Sequence, residues 1–152
     1  PVKVGVTADN RRGHDRQLKA EALQAWLNWL DKMGVPVVLV APVPEVGWHV
    51  PEQMIKRSRY GGGPVLTPYS AYQKRHAWVL EQLESAERAH ANLHLMPVAD
   101  LFCDTKPGGW CRAEEDGQPL YFDDDHLNER GAALVARRLL ETLGSLHVNP
   151  KH

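Results

Sequence analysis

Short β-branched runs alternate along this chain with longer segments whose apolar residues recur at helical spacing, and that alternation restricts the fold more than any other feature. VKVGV, at 2–6, reads as a buried strand. The segment DRQLKAEALQAWLNWLDKMG follows, with Leu23, Trp26, Leu27 and Leu30 on one helical face, Asp15 as the expected N-cap and Gly34 as the stop. VPVVLVAPVPE then supplies a strand from Val37 to about Ala41, which its alternating prolines bar from continuing as helix or central strand. Strand–helix–strand order of this kind implies an α/β fold with a parallel sheet and helices on its two faces, a three-layer sandwich.

Beyond this unit the region from Glu45 to Pro68, with Gly61, Gly62, Gly63 and several prolines, reads as a long surface excursion. A second helix is expected from about Ser70 to Arg88, with Tyr72, His76, Val79, Leu80 and Leu83 on one side; Ser70 suits its N-cap, and His76, which packs or faces solvent, is given no role. Leu93 to Met96 forms the third strand. A last helix, Asn128 to about Leu143, has Asn128 as N-cap, Ala132, Val135, Leu139 and Leu143 as its stripe, and Gly144 as its stop. In such sheets ligands meet the carboxyl ends of the strands, so the loops TADN, APVPE and the one carrying DDDH are expected to converge.

The 152 residues suffice for one domain with a buried core. With 43% hydrophobic and 24% charged residues and a net charge of -1, neither a disordered tail nor a nucleic-acid binder is indicated. No apolar run is long enough to span a bilayer as a helix. Cys103 and Cys111 bracket DTKPGGW. A disulfide across this loop is favoured over two unrelated thiols, and zinc lacks a second ligand pair; such a bond points to an oxidising compartment.

The stretch PLYFDDDHLNERGA gathers three carboxylates in front of a histidine at a helix start. A solvated acidic turn is one reading. A metal site is a second, weakened because adjacent side chains diverge; no metal is expected. The third is half of a hydrolase triad. At this spacing Asp123 can fold back onto Nδ1–H of His126, leaving Nε2 free to take a proton from a nucleophile.

The cysteine pair, the run DGQPLYFDDDHLNERGA and the strand VPVVLVAPVPE together resemble an SGNH-type domain, specifically the extracytoplasmic SGNH domains fused to membrane acyltransferases that O-acetylate lipopolysaccharide O-antigen or peptidoglycan. The resemblance runs from about Val2 to Leu143. It implies an SGNH/flavodoxin-like fold, Asp123 and His126 as triad partners with Asp124 and Asp125 flanking, a Cys103–Cys111 disulfide, and no cofactor. It also implies an acetyl-ester transferase or hydrolase acting on a bacterial surface polysaccharide, periplasmic and tethered to an acetyl-donor membrane domain.

Two departures accompany the resemblance. The family's strand ending in Gly-Asp-Ser is missing, and none of Ser58, Ser70, Ser85 or Ser145 sits in such a turn. The chain is accordingly expected to be the C-terminal part of a longer domain, its first strands and serine supplied by a preceding segment or a second chain, and inactive alone. The family's Gly-x-Asn-Asp block is also altered at TADN, where Asn10 is the candidate oxyanion donor and a turn former is the alternative. Trp48, Trp110 and Tyr121 lie in loops near the same edge and suit either sugar stacking or packing. A non-catalytic carbohydrate-binding or docking module is the competing functional reading.

Overall fold

The computed structural model describes residues 8–148. The expected strand at 2–6 lies outside them. Helix α1 spans Ala8–Lys32, β1 Val37–Val40, α2 Val50–Tyr60, β2 Leu66–Pro68, α3 Tyr69–Ala89 and β3 Leu93–Met96. A 3-10 turn at Ala99–Leu101 leads to β4, Trp110–Arg112, then β5 at Glu114–Glu115, β6 at Gln118–Pro119 and α4 at Glu129–Val148.

Strands β1 and β3 pair in parallel, Val37 opposite Leu93 through Val40 opposite Met96. Parallel partners require a crossover, and α3 provides the helix that leads into β3. Leu27 of α1 and Ala86 of α3 close over Val37 and Leu93, with Leu23, Leu30 and Leu39 at the margin. This is an α/β chain, as the alternation requires. Trp26 stays half exposed, so the buried stripe of α1 is narrower than the four-residue face read from sequence. α1 also begins at Ala8, which puts Asp15 inside the helix and not at its cap.

The region from Glu45 to Pro68 is not a structureless excursion. Residues 50–60 form α2 because Pro51 sits in the first turn, where its missing N–H costs nothing, Glu52 faces the positive end of the helix dipole, and Arg57 and Arg59 face the negative end. Gly61, at φ +78°, ends the helix in a conformation that side chains disfavour. β2 then pairs antiparallel with β4, Thr67 opposite Cys111.

A second core, below β2 and β4, contains Val46, Val50, Phe102, Cys103, Cys111, Ala113, Leu120 and Tyr121. Leu134 and Val135 of α4 pack on its edge. The buried face of α4 starts at Gly131, where a Cβ would stand 2.2 Å from the Leu120 carbonyl oxygen. Ala132, expected in the stripe, is exposed, and so is Leu143. The helix also passes through Gly144 to Val148, since an internal glycine costs only about 1 kcal/mol against alanine. α3 begins at Tyr69 without a side-chain cap, so Ser70 lies in its first turn. Of the two readings of His76 the structure shows packing, with its ring 4.9 Å from that of Tyr72, and burial pushes its pKa down.

Candidate active site at the Asp–His turn

Residues 120–128 form a closed loop between β6 and α4. Tyr121 and Leu127 pair as an isolated antiparallel bridge, and the Phe122 N–H donates to the His126 carbonyl at 2.7 Å. The exit of the loop is fixed by Asn128. Its Oδ1 accepts the N–H groups of Arg130 and Gly131 at 3.0 and 3.1 Å, which caps α4 as expected. Its Nδ2 donates to Pro119 O at 2.8 Å, and its backbone N–H to Leu120 O. One asparagine therefore holds both the helix start and the base of the loop.

Inside the loop Asp123 folds back as the sequence spacing predicts. Its Oδ1 accepts the backbone N–H groups of Asp125 at 3.1 Å and His126 at 2.8 Å. Its Oδ2 lies 2.9 Å from Nδ1 of His126. The two main-chain N–H groups, His126 first, hold the Asp123 carboxyl well below the usual carboxylate range. The hydrogen bond and charge of Asp123, helped by Asp125 and Asp124, raise the His126 pKa. An ionised Asp123 fixes the proton on Nδ1, which leaves Nε2 as the basic nitrogen. The imidazole is 75% exposed, so that nitrogen is open to an incoming group.

Asp125 is more than a flanking residue. Its Oδ1 stands 2.8 Å from the same Nδ1, so two carboxylates bracket one N–H. Asp123 has the better-held position, with its side chain 26% exposed against 45% for Asp125. One donor atom from each of Asp123, Asp125 and His126 lies within 4.8 Å of the others, a closer convergence than the divergence of adjacent side chains suggests. A single proton on Nδ1 accounts for that arrangement.

The loop is aimed by the segment that begins in APVPE, a strand end expected from the sequence to converge with it. Val46 N–H donates to Asp124 O at 2.8 Å and Val50 N–H to Asp123 O at 3.1 Å. Beside them the Tyr121 hydroxyl, on a side chain 1% exposed, donates to Pro44 O at 2.7 Å. Burial raises the pKa of this phenol, which stays protonated. Tyr121 is thus a buried anchor and not a sugar platform, packed at 6.0 Å against Phe102. Trp48 and Trp110 are exposed. The sequence signal for the strap was strand order, which brings the APVPE and DDDH loops to one edge.

Cys103 and Cys111 form the expected disulfide, within the core that carries Tyr121. Gly109 makes the intervening turn possible, because a Cβ there would lie 1.9 Å from Asp104 O. Asn10 lies in the first turn of α1, and its side chain is outside the described residues. Among the described residues no serine hydroxyl bonds to His126: Ser58 Oγ donates to Ile55 O and Ser145 Oγ to Thr142 O.

A family model described as SGNH domain (fused to AT3 domains) matches residues 3–141. The chain belongs to that SGNH family. No curated protein and no solved structure matches it. The match encloses every element from α1 into α4 and both members of the Asp–His pair of this SGNH domain. Among the described residues no helix is long and apolar enough to cross a membrane.

Proposed function

We propose that this SGNH domain contributes the acid–base half of a Ser-His-Asp triad that moves acetyl esters to or from a bacterial surface polysaccharide. The observation that carries the reading is the 2.9 Å contact between Asp123 Oδ2 and His126 Nδ1, with the imidazole open to solvent. In the reaction, Nε2 takes the proton of a serine hydroxyl as the serine oxygen attacks the acetyl carbonyl. Asp123 stabilises the resulting imidazolium and keeps its orientation. Nε2–H then protonates the departing alcohol, leaving the acetyl group on the serine. A sugar hydroxyl or water, deprotonated by the same nitrogen, attacks next, and the serine recovers its proton.

The serine belongs to a preceding segment or a second chain, together with the strands that complete a three-layer SGNH/flavodoxin-like sandwich. Among the described residues the β1–β3 sheet has two strands, and Val40 at its end is 43% exposed, which supports that completion. The disulfide and the family's fusion to AT3 domains support a domain held outside the cytoplasm beside a membrane acyltransferase that donates acetyl groups. Asn10 remains the candidate oxyanion donor in this scheme.

The test uses the full-length protein and p-nitrophenyl acetate. His126→Ala is expected to cut turnover by about 10³-fold or more. Full activity in that variant removes His126 from the mechanism. Among the described residues no serine bonds to His126, and this favours one second reading, a glycan-binding module without catalysis, which predicts saturable glycan binding and no labelling of the full-length protein by a serine-directed phosphonate.

A further inference from the structure

Beside the strap that aims the Asp–His turn lies an open cleft of about 580 Å³, between α2 and the 61–66 segment. Its size falls in the ordinary range of small-ligand sites. Trp48 and Tyr60 stand on its rim, 60% and 83% exposed, so two aromatic faces are held in water where packing gives no reason for them. Gln53 adds an amide, and the backbone at 61–63, stripped of side chains by three glycines, leaves main-chain groups accessible.

The charge of the cleft is one-signed. Arg57 is paired bidentately with the nearly buried Glu114, which also accepts the Val65 N–H, so this pair builds the wall and contributes no net charge. Lys56 is different. Among the described residues it has no ion-pair partner, and no carboxylate lines the cleft. An unpaired ammonium beside two exposed aromatic faces is arranged for a ligand that carries both an anion and an apolar ring face. The hydroxyl-bearing edges of a sugar ring suit Gln53 and the bare backbone, and its C–H face suits indole and phenol.

We propose that this cleft is an acceptor subsite for an acidic sugar, with Lys56 pairing its carboxylate and Trp48 and Tyr60 stacking on the ring. Continuity with the turn supports it: Trp48 lies between Val46 and Val50, the two residues whose N–H groups are bonded to Asp124 and Asp123. A glycan seated against Trp48 is therefore registered against the segment that aims His126. The assignment rests on the proposed function for treating the ligand as a surface polysaccharide and as the acceptor of the acetyl group.

Calorimetric titration of the protein with tri-galacturonic acid, with maltotriose as the neutral counterpart, tests it. The acidic trimer is expected to bind saturably and more tightly than maltotriose. Trp48→Ala should weaken it by about tenfold or more. Lys56→Gln should weaken it by about two- to fivefold, leave maltotriose unaffected, and reduce the dependence on salt. Both side chains are on the surface, so neither variant threatens folding. Absence of binding, equal affinity for the two trimers, or unchanged affinity in both variants overturns the subsite. His126→Ala is expected to keep the affinity while losing ester turnover, so the subsite and the triad reading fail separately.

Discussion

Replacing Tyr121 by phenylalanine removes one oxygen atom from the second core and tests whether the strap at 44–50 is what aims the Asp–His turn. The hydroxyl donates to Pro44 O at 2.7 Å, Tyr121 is 1% exposed and Pro44 is among the fully buried residues. The variant loses a hydrogen bond worth about 1 kcal/mol net and leaves a dry carbonyl without its donor, a further cost of about 1–3 kcal/mol, partly offset because the hydroxyl need no longer be desolvated. A loss of about 2 kcal/mol follows. At the scale of a domain this size, that lowers Tm by about 4–8 °C. Urea unfolding should show a lower midpoint with an unchanged slope, because the ring still packs against Phe102. Tyr72→Phe serves as the comparison: its hydroxyl also reaches a proline carbonyl, Pro42 O, but at 3.1 Å and outside the strap. It should cost less and leave the His126 ring signals in an NMR spectrum unmoved, whereas Tyr121→Phe shifts them. A loss below about 0.5 kcal/mol in Tyr121→Phe, or no change at His126, refutes the reasoning.

Two further outcomes are expected. In an NMR titration His126 should lose its ring proton above the ordinary value of 6.5, and Asp123→Asn should bring that pKa down. Because the protonated ring is the form favoured by folding, this contact stabilises the fold fully below 6.5 and ceases to do so as pH rises through the folded-state pKa; ester turnover, which needs neutral Nε2, rises over that same interval. For the disulfide, eight residues of sequence separation correspond to about 2.5 kcal/mol of loop-closure stabilisation, so Cys103→Ala/Cys111→Ala should lose about that much in urea unfolding, and an unchanged midpoint would contradict it.

Elements whose signals are local were legible in the sequence. β1 is a short β-branched run and β3 a short apolar one, α3 carries a regular apolar stripe, and the Asp123 fold-back is a three-residue geometry that a turn enforces by itself. The disulfide was legible because a Pro-Gly-Gly loop brings its own ends together. α2 was hidden because prolines and glycines at its two ends look like loop signals until the proline is recognised as a first-turn residue and the glycine as a stop. The buried face of α4 was displaced because its first member, Gly131, has no side chain for an apolar pattern to register. That APVPE meets the turn was legible from strand order, but the bonds that join them were not: Val46 and Val50 act through their backbone N–H groups, which every sequence contains.

The side-chain contacts that set the basicity of His126 lie within the turn itself, at residues 123–125, while the bonds that hold the turn as a body against the rest of the domain come through Val46, Val50, Tyr121 and Asn128. Basicity and the direction in which the whole turn faces are consequently separable in this domain. A short peptide copying the turn would inherit the first and none of the second, and substitutions in the strap can re-aim the same proton acceptor at a different neighbour without altering its strength.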